Sequence, residues 1–160
     1  VKSDHELEFR PLRLEDIPAV VAIEQEAFTS PWTAEAFENE LRNNHFARYL
    51  AMWHRGELIG YGGMWTLIDE AHVTNIAVRA DYRGQGFGKQ LMRELQQLAV
   101  RNGMERMTLE VRVSNERAQR LYRQFGFEPA GLRPGYYTDN KEDALIMWAE
   151  LGNMKAGERS

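Results

Sequence analysis

Gly84, Gly86 and Gly88 fall within five residues, after a strand-like run that ends at Val78 and before an amphipathic stretch that starts at Lys89. A strand that feeds glycines, and glycines that feed a helix, aim backbone N–H groups and the positive end of a helix dipole at one point. That arrangement suits phosphate oxygens. Glycine lets the backbone come close to a ligand, and Arg83 and Lys89 add positive charge. The alternative is a tight strand-to-helix turn that binds nothing. Two nucleotide patterns fail here on spacing. A Walker loop needs Ser or Thr after Gly-Lys, but Gln90 follows Lys89, and Arg83 stands where the earlier glycine belongs. The dinucleotide pattern begins at Gly84 and Gly86 and breaks at Lys89. Farther along, Glu110 is an acidic residue between Leu109 and Val111. Tyr122 lies among Leu121, Phe125 and Phe127. His5, His45, His54 and His72 have no metal-ligand spacing, so no metal is expected.

Periodicity supplies the elements that must position these residues. Phe9–Leu14 alternates like an edge strand, where Pro11 is tolerated. Ile17, Val20, Val21, Ala27 and Phe28 share a helical face over Glu15–Phe28, with Pro18 in the first turn. Thr33 predicts an N-cap for a second helix that runs to about Arg42. Ala47–Trp53 and Leu58–Thr66 read as strands joined by a turn at His54–Glu57, and Glu70–Val78 as a third strand of that group. Lys89–Arg101 is helical, with Leu91, Met92, Leu95, Leu98 and Ala99 on one face and a stop at Asn102-Gly103. Met107–Val113 is a strand and Asn115–Phe125 a short helix. Phe127–Arg133 and Ala144–Leu151 complete the order βααβββαβαββ. This predicts an α/β fold, a mixed sheet with helices on both faces.

The loop spacing that does fit is Arg83-x-x-Gly86-x-Gly88. It resembles the acetyl-CoA pyrophosphate loop of the GNAT N-acetyltransferases, and the element order is also that family's order. Further shared pieces are Ser30-Pro31-Trp32, Asn75-Ile76-Ala77-Val78, Leu109-Glu110-Val111-Arg112 with Ser114-Asn115, Leu121-Tyr122 with Gly126-Phe127, and Tyr136-Tyr137 with Glu142-Asp143-Ala144. Within the family the chain is most similar to the RimI type. Those enzymes acetylate the N-terminal alanine of a small-subunit ribosomal protein.

The resemblance implies acetyl-CoA as donor and direct transfer to an amine. That chemistry makes three demands. An α-ammonium with a pKa of ~7.7–8.0 must lose a proton. The oxyanion that develops on the carbonyl needs a hydrogen-bond donor. The leaving thiolate needs a proton from a nearby weak acid. By resemblance, Glu110 is the base, acting directly or through water, and Tyr122 is the acid. Read from the residues alone, Glu110 is equally a strand glutamate paired with Arg112, and Tyr122 is a core aromatic. The family also implies that backbone groups of Ile76, Ala77 and Val78 meet the pantetheine arm. It assigns Arg83, Gly84, Gln85, Gly86, Phe87, Gly88 and Lys89 to the pyrophosphate. Asn115 is expected to reach the cofactor, cap the following helix, or both. Trp32, Tyr136 and Tyr137 are expected either to line an acceptor groove or to pack. Arg112 and Glu142-Asp143 are equally readable as surface ion pairs.

Composition sets the outer bounds. The 160 residues suit a single domain, 1–160, with an ordered core over about 8–151 and a frayed tail over 152–160. The chain is 43% hydrophobic and 28% charged, ordinary for a globular protein. With no cysteine there is no disulfide, thiol nucleophile or thiolate zinc site. Twenty basic and 24 acidic residues give a net charge of -4, which disfavours general nucleic-acid binding. No charged-then-apolar leader is visible and no apolar run approaches the ~20 residues of a membrane span, so a cytoplasmic protein is expected. Two other functions fit the same residues. One is a GNAT enzyme for a small amine or a lysine side chain; the other is a catalytically silent acyl-CoA-binding module.

Overall fold

A computed structural model describes residues 6–152. The chain runs β1 (Leu7–Pro11), α1 (Ile17–Ala27), α2 (Ala34–Asn43), β2 (Ala47–His54), β3 (Glu57–Leu67), β4 (Glu70–Val78), α3 (Phe87–Arg101), β5 (Arg106–Arg112), α4 (Glu116–Arg123), β6 (Glu128–Arg133) and β7 (Ala144–Glu150). This is the expected order of helices and strands. The strands form one seven-stranded sheet in the order β1-β2-β3-β4-β5-β7-β6. β4 and β5 run parallel, whereas β1–β2, β2–β3, β5–β7 and β6–β7 are antiparallel, so the sheet is mixed. Among the described residues no helix is long and apolar enough to cross a membrane. Residues 153–160 of the tail expected to fray lie outside the described residues, and Gly152 sits in a turn.

Local chemistry explains most boundaries. Thr33 Oγ1 accepts the Ala36 N–H at 3.1 Å and opens α2 as an N-cap. Arg55 and Gly56, at φ 52° and 79°, make the two-residue turn between β2 and β3; positive φ at both places is what a right-twisted hairpin needs. Two boundaries differ from expectation. The first strand is Leu7–Pro11 rather than Phe9–Leu14, because Leu14–Asp16 coils into a 3-10 turn. Asp16 ties that turn by accepting the Arg13 N–H at 2.9 Å. The helix expected from Lys89 begins at Phe87, since the Gln90 N–H already reaches the Gly86 carbonyl at 3.3 Å.

By contact the chain forms two compact units. One holds the residues up to Trp65 together with Thr74–Leu95; the other holds Thr66–Val73 and everything from Gln96 onward. The first unit is built on two apolar clusters. Val20, Ile23, Phe37, Tyr49 and Tyr61 centre one, and Met52, Ile59, Tyr82, Phe87 and Leu91 the other. Burying one such side chain contributes roughly 1.5–3 kcal/mol. Glycine is required at Gly63, where an added Cβ would lie 2.1 Å from the Tyr49 ring. In the second unit β5 alternates, with Met107, Leu109 and Val111 buried. Thr108, Glu110 and Arg112 share the half-buried face.

Candidate functional site

In the first unit, Gly84 and Gly86 have φ of 75° and 89°, a region that side chains with a Cβ enter at a cost. The space a Cβ on Gly86 would fill is open. Gly88 and Lys89 lie in the first turn of α3, where backbone N–H groups have no carbonyl four residues back to bond. Open space, glycine backbone and first-turn donors fit a pyrophosphate. Arg83 is partly committed to the protein: its Nε donates to the Val78 carbonyl at 2.9 Å, and a guanidinium nitrogen is 4.0 Å from Glu26. It therefore ties the loop to the end of β4. Gln85 likewise donates to the Asp81 carbonyl at 3.2 Å. Phe87, by contrast, is buried in the core cluster with Leu91. On β4, Ala77 is buried while Ile76 and Val78 are half-buried. The β4–β5 ladder covers Glu70–His72 against Arg106–Thr108 and ends there.

In the second unit Glu110 is not the exposed partner of Arg112 that one sequence reading allowed. Its side chain is 9% exposed, and Oε1 lies 2.7 Å from His72 Nε2. Oε2 is 3.9 Å from Arg133 Nε. Arg112 is engaged elsewhere, with Asp139 at 2.9 Å and Glu142 at 3.2 Å. The ion-pair reading of Arg112 and Glu142 holds. The Glu142 carboxyl sits below its usual range because Ser114 hydrogen-bonds it; the Ser114 N–H is 2.8 Å away. His72 is the neighbour of Glu110 that sequence reasoning missed. Testing the histidines against metal spacings could not reveal it, because the contact is made across a strand pair. The register puts His72 opposite Thr108, two residues from Glu110 on the same face of β5. Among the described residues no cluster suits a metal ion.

Tyr122 is half-buried and meets Phe127 edge-on at 5.8 Å, so the packing expected of it is present. Burial pushes its phenol up to about 12. Among the described residues its hydroxyl has no hydrogen-bond partner. Tyr136 and Tyr137 form an edge-to-face pair at 5.1 Å, with the Arg112 guanidinium 4.0 Å above the Tyr137 ring. Burial pushes Tyr137 up to about 12, Arg112 works against it, and the nearby Tyr136, Glu110 and Tyr122 add to the rise. Tyr136 is raised by burial and then by the Glu110 charge. The second unit thus sets His72 and Arg133 beside the Glu110 carboxylate, whose charge also acts on Tyr136 and Tyr137. Asn115 caps α4, its Oδ1 accepting the Ala118 N–H at 3.1 Å. That settles the capping half of its expected role.

Trp32, in the first unit, packs on Phe37 at 5.4 Å. Its backbone N–H donates to Glu24 Oε2 at 2.9 Å. Glu24 is buried, also accepts from the Tyr61 hydroxyl, and has its pKa raised by burial against the pull of the Trp32 N–H. The segment carrying Ser30-Pro31-Trp32 is therefore anchored at Trp32.

Known proteins resemble this chain along most of its length. Residues 17–127 match the Acetyltransferase (GNAT) family, a span that takes in β2 to β5, the glycine loop, Glu110 and Tyr122. A Bacillus subtilis protein, provisionally named a ribosomal protein bS18-alanine N-acetyltransferase, is 50% identical over 142 residues, covering 89% of this chain and 94% of its own. The ribosomal protein bS18-alanine N-acetyltransferase of Escherichia coli is 38% identical over 140 residues, covering 85% and 92%. The crystal structure of the Escherichia coli ribosomal-protein-S18-alanine N-acetyltransferase superposes with a TM-score of 0.84 at 32% identity, covering 96% of this chain and 99% of that one. The chain belongs to the GNAT acetyltransferase family. It is an N-acetyltransferase that uses acetyl-CoA as its acetyl donor.

Proposed function

We propose that this enzyme acetylates the α-amine of an N-terminal alanine on a small-subunit ribosomal protein. The observation that carries the acceptor is likeness over nearly the full length of relatives named for that reaction, at 50% and 38% identity. The same reading puts the enzyme in the cytoplasm, the compartment of its acceptor. It also treats the chain as one catalytic domain, since the family match includes residues of both compact units.

The chemistry is assigned residue by residue. Acetyl-CoA supplies a thioester carbonyl already activated for attack. The loop from Arg83 to Lys89 holds the pyrophosphate, with Gly84, Gly86 and Gly88 giving backbone access and Lys89 giving charge. Gln85 and Phe87 shape the loop. Backbone groups of Ile76, Ala77 and Val78 bind the pantetheine arm, and one N–H meets the charge growing on the carbonyl oxygen. The Asn115 amide nitrogen, which the cap does not use, reaches the cofactor. Glu110 takes a proton from the attacking amine, and Tyr122 gives one to the departing sulfur. The support for Glu110 is its low exposure together with a fixed Oε1. For Tyr122 it is a hydroxyl with no hydrogen-bond partner among the described residues. Trp32, Tyr136 and Tyr137 line the path of the acceptor peptide.

Initial rates with three acceptors test the proposal. They are an alanine-initiated peptide, the same peptide with a blocked N-terminus and a free internal lysine, and spermidine. The first is expected to be fastest. Part of the reason is intrinsic: at neutral pH an α-amine with a pKa of ~8 has far more free base than a lysine with a pKa of ~10.4. A preference for lysine or spermidine would overturn the acceptor assignment while leaving the acetyltransferase in place.

A further inference from the structure

We infer that His72 is a positioning residue for Glu110: it holds Oε1 and leaves Oε2 as the oxygen that receives the amine proton. The inference rests on the reading of Glu110 as the base. A base must be ionised to act, and an ionised carboxylate has no proton to donate. At 2.7 Å the His72 Nε2–H therefore donates and Glu110 Oε1 accepts. The imidazole is then protonated on Nε2, and one of the two carboxylate oxygens is occupied.

The other candidates for holding Glu110 are engaged elsewhere. Thr108 and Arg112 flank it on its own face of β5. Thr108 Oγ1 donates to the Met147 carbonyl at 2.9 Å, and Arg112 is bound to Asp139 and Glu142. Arg133 Nε stands 3.9 Å from Oε2, beyond hydrogen-bond length, so it contributes charge without fixing that oxygen. A glutamate side chain has several rotatable bonds, and His72 is the contact that selects its rotamer. The site of the contact suits this role. His72 lies in the last residue pair of the β4–β5 ladder, where the sheet still fixes its backbone. Its side chain is 34% exposed against 9% for Glu110, so it reaches the carboxylate from the more open side.

Four variants of the full chain test this: H72L, H72Q, E110Q and the double variant H72L/E110Q. The measurements are kcat, KM for acetyl-CoA and KM for an alanine-initiated peptide, with thermal unfolding as the check on folding. Leu and Gln are of similar size, but only Gln can offer an N–H to Oε1. H72L is expected to lose roughly 10- to 100-fold in kcat, the scale on which a misplaced reacting group costs rate. KM for acetyl-CoA should stay unchanged, and H72Q should recover most of the loss. In the E110Q background the Leu substitution should cost nothing more, because the group it positions is gone. If E110Q is impaired while H72L and H72Q turn over alike, His72 is structural and the inference falls. It falls equally if the H72L and E110Q losses multiply in full. An unimpaired E110Q would instead remove the base assignment itself, a result distinct from the other two.

Discussion

A phenol raised to about 12 keeps its proton throughout the pH range in which an α-amine is acetylated, so Tyr122 enters each cycle protonated. The same shift makes it a weak acid. Against a thiol of pKa ~8.5, complete transfer to a free thiolate is uphill, so in the proposed mechanism the proton moves as the sulfur charge develops. Tyr122→Phe keeps the ring against Phe127 and removes a hydroxyl that has no hydrogen-bond partner among the described residues. Unfolding free energy should be nearly unchanged, while kcat falls ~10²–10⁴-fold, the usual contribution of a general acid. Chemical denaturation and single-turnover kinetics measure the two. An unchanged single-turnover rate would reduce Tyr122 to the core aromatic that its neighbours Leu121, Phe125 and Phe127 suggest. Residues of this kind were legible only in part. Glu110 and Tyr122 stand out by family spacing, and Asn115 by its capping position. His72 was not legible, because 38 positions separate it from Glu110 and only the parallel register of β4 and β5 brings them to 2.7 Å.

At the scale of elements, the sequence carried most of the fold because the signals are local. Thr33 and Asn115 cap helices by hydrogen bonds to the N–H three residues on. Gly103, at φ 82°, follows α3 as a left-handed stop. Two boundaries were less legible although their ties are equally local. The Asp16 carboxylate pulls the segment after β1 into a 3-10 turn, and the Gly86 carbonyl extends α3 back to Phe87. The glycine loop joins local signal to the proposed function. At Gly86, with φ 89°, valine is strained whatever room surrounds it, at about 1–2 kcal/mol. The loop should relax to another conformation and its N–H groups should lose their common aim. Gly86→Val is therefore expected to weaken acetyl-CoA binding by at least roughly 10-fold, with far-UV circular dichroism unchanged. Calorimetric titration reads the affinity. A variant that binds as tightly as the parent would make the loop a turn and nothing more.

For the whole molecule, charge, length and the absence of cysteine exclude classes of protein without choosing a substrate. The sheet order and the family match define an acetyl-CoA-dependent N-acetyltransferase, and the glycine loop was the legible part of that identity. The acceptor was much less so. Trp32, Tyr136 and Tyr137 read equally as packing or as groove, and the structure gives each of them packing partners: Phe37 for Trp32, Arg133 for Tyr136 and Arg112 for Tyr137. Acceptor choice depends on side chains that face a peptide rather than one another, and no local period encodes it. One peptide that begins with a free alanine and carries an unmodified internal lysine puts both amines before the same enzyme at the same concentration. After limited turnover with acetyl-CoA at neutral pH, tandem mass spectrometry locates the added acetyl group. The account predicts it on the alanine nitrogen, with the lysine unmodified; acetyl predominantly on the lysine would contradict it.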